Sequence, residues 1–429
     1  MTGREIAAIR GRRVWDSRGR PTVEAEVVLA SGAIGRAIAP AGSSTGSGEA
    51  LDLRDEGAAF DGWDVTRAVA NVNGDIAMRL RGLDASDQAT VDATLVALDG
   101  TPNKSRLGAN ATVAVSMAVA HAAAAALGVP LYRALGGEGA TLLPLPQIQI
   151  FGGGVHAGRR VDIQDFLVVC PSAANFAETL DRTARVYATA GKLMAEAGTL
   201  AGVADEGGFW PAFGSNEEAL ATLVRAIEGA GFRPGEEVAI ALDVAASQFG
   251  RDGRYRLALD GRELGTEEMI ALLESWVARY PIVSIEDPLA EDDGAGFVAF
   301  TRAVGATVQV VGDDFFVTDA ARVREAAAAG AANAVLLKPN QRGTLSETLA
   351  AWRAAQQAGF GGIVSARSGE TEDVTIVHLA IGWSVGQLKV GSFARSERMA
   401  KWNEVLRIEE TLADRARFAG RTMLGRSRP

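Results

Sequence analysis

Three acidic residues, Asp243, Glu286 and Asp313, each close a short apolar run. Carboxylates brought together repel one another unless they are protonated or bound to a cation. An all-oxygen donor set with no Cys/His cluster nearby favours Mg2+ or Mn2+ over zinc. Taken singly, each acid reads equally well as a solvated loop residue; three at equivalent positions favour a metal. Lys338 and Lys389 end two further runs. A lysine beside divalent cations can have its pKa lowered and serve as a base near neutrality. It can equally be a charge-balancing partner of the acids, and spacing alone leaves both readings open.

The runs that carry these residues are 238–243, 282–286, 308–313, 334–338, 362–365 and 388–391. From Glu286 to Asp313, Lys338, Ser365 and Lys389 the steps are 27, 25, 27 and 24 residues, room for one strand, one helix and two loops per unit. The spacing predicts helices over 318–332 and 344–358. Repeated βα units build a doubly wound sheet or a closed eight-stranded barrel. Polar residues at nearly every strand end would converge on one mouth in a barrel, and neither a G-x-G-x-x-G after the opening strand nor a Walker A motif is present. A barrel is the better expectation.

Ahead of it, the first ~60 residues read as strands. Residues 23–29 (VEAEVVL) alternate, turn through Ser31-Gly32 and resume at Ile34, which predicts a hairpin, and a polar Gly/Ser-rich loop spans 40–48. Helical patterns follow to about Leu135, and the Gly-rich turn at 136–139 is the expected boundary between an N-terminal domain, 1–136, and a barrel domain, 140–429.

With 48% hydrophobic and 22% charged residues the composition is that of a soluble globular protein. A net charge of −10 argues against nucleic-acid binding, which needs a basic surface. One cysteine, Cys170, fits a reducing compartment and reads as an inert core thiol. Residues 109–132 carry no Asp, Glu, Lys or Arg, yet their Ala/Val character and Pro130 indicate a buried helix rather than a membrane span. Nothing at the start reads as a signal peptide, and a cytoplasmic location is expected. His121 and His378 fall in expected helices as structural residues, and Phe315 and Phe316 read as packing.

The chain resembles the enolase family from end to end. The resemblance is carried by WDSRGRPTVE (15–24), LGANA (107–111), DEGG (205–208), SIEDP (284–288), GDD (312–314), RSGETED (367–373) and RSER (395–398). It implies an enolase-type modified (β/α)8 barrel preceded by a smaller α+β N-terminal domain, usually a homodimer or a higher homo-oligomer. It implies one or two Mg2+ ions, with Asp243, Glu286 and Asp313 as ligands and the loop residue Ser44 completing a second ion's site. By the same resemblance Lys338 is the base that removes the C2 proton of 2-phosphoglycerate. Lys389 steadies the carboxylate and enediolate, Glu206 assists departure of the hydroxyl, and Arg367 and Ser368 bind the phosphate. His156 is the histidine of the G-G-x-H-A-G loop.

Departures cluster at the leaving-hydroxyl end. Ala366 stands where enolases have a histidine, and Gln164-Asp165-Phe166 where they have Gln-Glu-Phe, so Asp165 is one methylene short. Ser47-Gly48 replaces a bulkier pair, Pro339 replaces an aliphatic residue and Trp210 a small one. Losing one polar partner of a general-acid cluster costs about 10²–10⁴ in rate. The expected function is therefore a diverged enzyme acting on phosphoenolpyruvate or 2-phosphoglycerate. Its pattern resembles the carboxyphosphonoenolpyruvate synthases of phosphinate antibiotic biosynthesis, with a CMP-linked phosphonoformate as second substrate. The competing expectations are a phosphopyruvate hydratase and a non-catalytic scaffold; the complete acid and lysine set weighs against the last.

Overall fold

The computed structural model describes residues 3–424; residues 1–2 and 425–429, the outer ends of the two expected domains, lie outside the described residues. Strands β1 (Ile6–Trp15), β2 (Pro21–Leu29) and β3 (Ile34–Ile38) form an antiparallel meander. The expected hairpin is β2–β3, whereas β1, whose apolar residues do not alternate with polar ones and which is largely exposed, carries too weak a pattern to be singled out. The strands stop at Ile38, short of the sixty residues expected, because the Pro40 and Gly/Ser segment that follows leaves the sheet. Helix α1 (Ala109–Leu127) packs on β2 and β3. It is long and apolar enough to cross a membrane, but 72% of its most apolar window is buried within the fold. Its Ala and Val side chains are small enough to let the helix sit close on the sheet.

Eight strands close the barrel: β4 (Leu145–Gly152), β5 (Asp165–Val169), β6 (Ala239–Asp243), β7 (Ile282–Glu286), β8 (Gln309–Gly312), β9 (Ala334–Leu337), β10 (Gly361–Ser365) and β11 (Gln387–Ser392). The surrounding helices are α2 (Phe176–Glu196), α3 (Asn216–Gly229), α4 (Thr266–Arg279), α5 (Gly294–Val304), α6 (Ala320–Ala329), α7 (Leu345–Gln357), α8 (Thr375–Gly382) and α9 (Ser396–Leu412). Helices α6 and α7 are shorter than their periodicity suggests. The Asp319 carboxylate accepts from the Ala321 and Arg322 amides and the Thr344 hydroxyl from the Glu347 amide, fixing both starts, and Gly330 in the left-handed conformation ends α6.

One strand breaks the βα repeat. β5 runs antiparallel to both β4 and β6, while every other neighbouring pair is parallel. The connection 153–164 holds only a short 3-10 turn and no crossover helix, so the chain can return only in the opposite direction.

Cys170 follows β5, is fully buried, and its thiol is pushed up to about 12 by that burial. Thiolate is the reactive form. Native protein at pH 8 is therefore expected to react with a disulfide reagent only after denaturation, when one thiol should appear. Fast labelling of the folded protein would show that this face of the barrel opens.

Candidate active site

The parallel strands deliver Asp243 at the end of β6, Glu286 at the end of β7, Asp313 just after β8, Lys338 just after β9, and Arg367 and Ser368 just after β10. Lys389 lies within β11. Because β5 is reversed, its starting residue Asp165 arrives at this same mouth, opposite Asp243. The loop between β4 and β5 carries His156 and Gln164, and the segment between α2 and α3 carries Glu206. All of these residues except Glu286 line one cavity of about 30 Å3, together with Ala366 and with Gly42, Ser43 and Ser44 of the N-terminal loop. Glu286 is joined to the cavity through Lys389.

Two ammonium groups organise the charge. Lys389 Nζ donates to Asp243 Oδ2 at 2.7 Å and to both Glu286 oxygens at 2.9 and 3.0 Å, and it is 3.4 Å from Asp165 Oδ2. Lys338 Nζ bonds Asp313 Oδ2, whose other oxygen accepts from Gln341 at 2.8 Å. Of the two readings left open by spacing, a lowered base or a charge-balancing partner, the pairing seen here is the second, and both lysines are raised. Burial pulls each down, but for Lys338 the adjoining Asp313 outweighs it, and for Lys389 Asp243, Glu286 and Asp165 together do. A depressed Lys338 therefore requires that Asp313 be engaged by another cation.

Of the expected metal triad, only Asp313 belongs to a set of ligand atoms that all lie within 4.8 Å of one another among the described residues. That set is Asp287, Asp313 and Asp314; a second is His156, Asp165 and Glu206. Lys389 Nζ lies between Asp243 and Glu286, and Lys338 Nζ is held on Asp313. The donor chemistry nevertheless fits a hard divalent cation. Glu286 is held well above the usual carboxylate range by burial and by Asp243, Asp287 by burial and by Asp314, and Asp314 is pushed up to about 8 by burial and by Asp313. Buried carboxyls pushed towards their neutral form in this way are groups that a bound cation would return to the ionised state.

Arg367 and Ser368, the expected phosphate pair, are capped by the N-terminal loop. Arg367 donates to Glu49 Oε2 (2.9 Å) and Oε1 (3.1 Å), to Asn340 Oδ1 (3.0 Å) and to the Ser44 carbonyl (2.9 Å). Ser368 Oγ meets Ser43 Oγ at 2.9 Å and accepts from Arg18 at 3.2 Å. Gly42 lies so close to Arg367 that a Cβ would overlap the guanidinium. The Ser44 hydroxyl is 3.4 Å from Gln248 Nε2, which also bonds Gln164, and Gln164 in turn donates to Asp243 at 2.8 Å. With so little enclosed volume, this loop has to lift before a ligand larger than a water molecule or two enters.

At the altered end, burial pushes Asp165 up but is outweighed by Lys389, His156 and Gln149, which hold it at about 2. His156 is lowered by burial and raised more strongly by Glu206 and Asp165, so its net shift is upward. Its Nδ1 is 3.7 Å from Asp165 and its Nε2 4.0 Å from Glu206, and Nδ1 has no hydrogen-bond partner. An ionised aspartate is a poor proton donor, so this group stabilises positive charge on its neighbours better than it expels a hydroxyl.

His121 and His378 lie on α1 and α8 away from the mouth, with ring centroids 6.2 Å apart, and burial lowers both. Phe316 is fully buried, as expected; Phe315 stacks on Phe297 at 4.1 Å but also faces a second cavity. Sequence reasoning missed Glu49, Gln248, Asn340 and Gln341, which hold the charged groups in place. It also left Asp287 unassigned, although it directly follows Glu286 and accepts from the Asp313 and Asp314 amides at 2.9 and 2.8 Å.

Compared with known protein families, residues 6–135 match the family model described as Enolase, N-terminal domain, and residues 140–427 the one described as Enolase, C-terminal TIM barrel domain.

Proposed function

Because the chain belongs to the enolase family, we propose that it is a diverged, Mg2+-dependent member acting on phosphoenolpyruvate or 2-phosphoglycerate, of the carboxyphosphonoenolpyruvate synthase type. The observation that carries this reading is the split within one cavity. Asp243, Asp313, Lys338, Lys389, Arg367 and Ser368 supply a full set for an anionic enolpyruvate, whereas the hydroxyl-expelling end holds Ala366 and an ionised, lysine-tethered Asp165.

Asp243, Glu286 and Asp313 would hold one Mg2+ ion and Ser44 would contribute to a second. Bound there, the ions supply electrostatic stabilisation of the substrate carboxylate and its enolate form. Arg367 and Ser368 grip the phosphate, and the Gly42–Ser44 loop closes over it. Lys389 balances the carboxylate, and Lys338 holds or takes a proton at the three-carbon unit. In the transfer, the phosphoryl group of phosphoenolpyruvate passes to water. The enol oxygen then bonds to the phosphorus of CMP-activated phosphonoformate, the anhydride bond to CMP breaks, and CMP leaves. A homodimer or larger homo-oligomer is the proposed assembly.

Two assays on the Mg2+-loaded protein test the reading. Absorbance near 240 nm should stay flat with 2-phosphoglycerate, and CMP should be released from CMP-phosphonoformate when phosphoenolpyruvate is present. Rapid phosphoenolpyruvate formation with no CMP release would establish a hydratase instead.

A further inference from the structure

Beside the catalytic mouth lies a second cavity of about 880 Å3, within the range of sites for drug-sized ligands (roughly 300–1,000 Å3). The catalytic cavity could not take a nucleotide; this one could. Its walls include Ser47, Ser247, Glu291, Ala295, Phe315 and Arg322. Arg322, on α6, makes no ion pair and no side-chain hydrogen bond among the described residues, and its guanidinium lies against Gly48 so closely that a Cβ there would overlap it. A half-buried guanidinium without a carboxylate partner is a ready counter-charge for a phosphate. Among the described residues, none of the acids on the wall lies within ion-pair distance of it. Glu291 accepts the Ser47 amide at 3.1 Å and Asp292 the Asp252 amide at 3.0 Å. Phe315, stacked on Phe297, offers an aromatic surface.

The cavity is tied to the catalytic loop. Ser47 is bonded to Glu291, whose own amide donates to Ser247 Oγ at 2.9 Å, and the next residue, Gln248, reaches Ser44. An occupant of the cavity therefore lies against the same loop that covers Arg367 and Ser368.

We propose that this cavity is the subsite for the nucleoside monophosphate portion of the second substrate, with its phosphate on Arg322 and its base against Phe315. The assignment rests on the transferase reading above and adds to it the place of the leaving group. The exposed carboxylate of Glu325, also on the wall, is an acceptor for sugar hydroxyls or an exocyclic amine.

The test is calorimetric titration of the full-length, Mg2+-loaded protein with CMP, beside the CMP-release assay. Arg322→Ala should weaken CMP binding by roughly 10- to 100-fold, the worth of a charge-assisted hydrogen bond, and phosphoenolpyruvate binding by less than about two-fold. Ala295→Glu, on the exposed face of α5, should weaken CMP without changing the melting temperature, which separates loss of the subsite from loss of the fold. The proposal is overturned if wild-type protein fails to bind CMP, or if both variants bind it as wild type does. CMP release with an unchanged KM for CMP-phosphonoformate in both variants would remove the subsite and leave the transferase standing. CMP binding that depends on Arg322, with no turnover, would keep the subsite and remove the transferase.

Discussion

Lys389→Met should abolish turnover and destabilise the metal-free protein by about 3–5 kcal/mol, the usual cost of removing one partner from a buried ion pair. The lysine is the shared counter-charge of Asp243, Glu286 and Asp165, all almost fully buried. Methionine keeps the length of the side chain, so the loss is electrostatic rather than a cavity. Two conditions should soften it. Excess Mg2+ replaces part of the missing positive charge, and acid does the same. Glu286 already sits well above the ordinary carboxylate range and takes up a proton as pH falls, so the folded variant binds more protons than wild type and its deficit shrinks. Urea unfolding with EDTA, with Mg2+, and at two pH values measures all of this. An equal deficit in every condition would mean that Lys389 acts through packing alone.

The double substitution Asp165→Glu/Ala366→His should raise phosphoenolpyruvate formation from 2-phosphoglycerate by roughly 10²-fold or more over wild type, the scale of one positioned acid–base group. The added methylene extends the carboxylate beyond Lys389 and Gln149, which now hold it, and the imidazole projects from the end of β10 into the cavity. Since that cavity encloses only about 30 Å3, the histidine fits once the Gly42–Ser44 roof has lifted. Absorbance near 240 nm reads the result. A rate still at the wild-type level would show that the two departures are not what separates this site from a hydratase. Each single variant should give less, because the two groups act on one leaving oxygen.

Much of this was legible in the sequence, for a physical reason. A barrel strand must end where its loop begins, so a charged residue closing an apolar run marks the mouth, and Asp243, Glu286, Asp313 and Lys338 were found that way. β4 was not. Its LPQIQIFG segment carries Pro146, Gln147 and Gln149, and its glutamines are satisfied only inside the closed barrel, where Gln147 bonds Gln387 at 3.1 Å. β5 was not placed in the barrel either, and its direction could not have been read, since a strand's residues do not record which way it runs. The contact that most holds Arg367, with Glu49, spans 318 positions and has no local signature. Nor does a cavity: the space beside Arg322 exists only because α5, α6 and the Ser47 loop pack around it.

The reversed strand has an evolutionary consequence. His156, Gln164 and Asp165 are carried by one uninterrupted turn of chain between β4 and β5, while the acids and lysines that manage charge are distributed over the parallel strands. Drift in that short segment retunes the polar groups at one end of the cavity, and it is felt by the charge network only where Gln164 meets Asp243 and Asp165 meets Lys389. A lineage could thus alter that end of the cavity by small steps in a segment of a dozen residues, with position 366 after β10 as the one partner outside it.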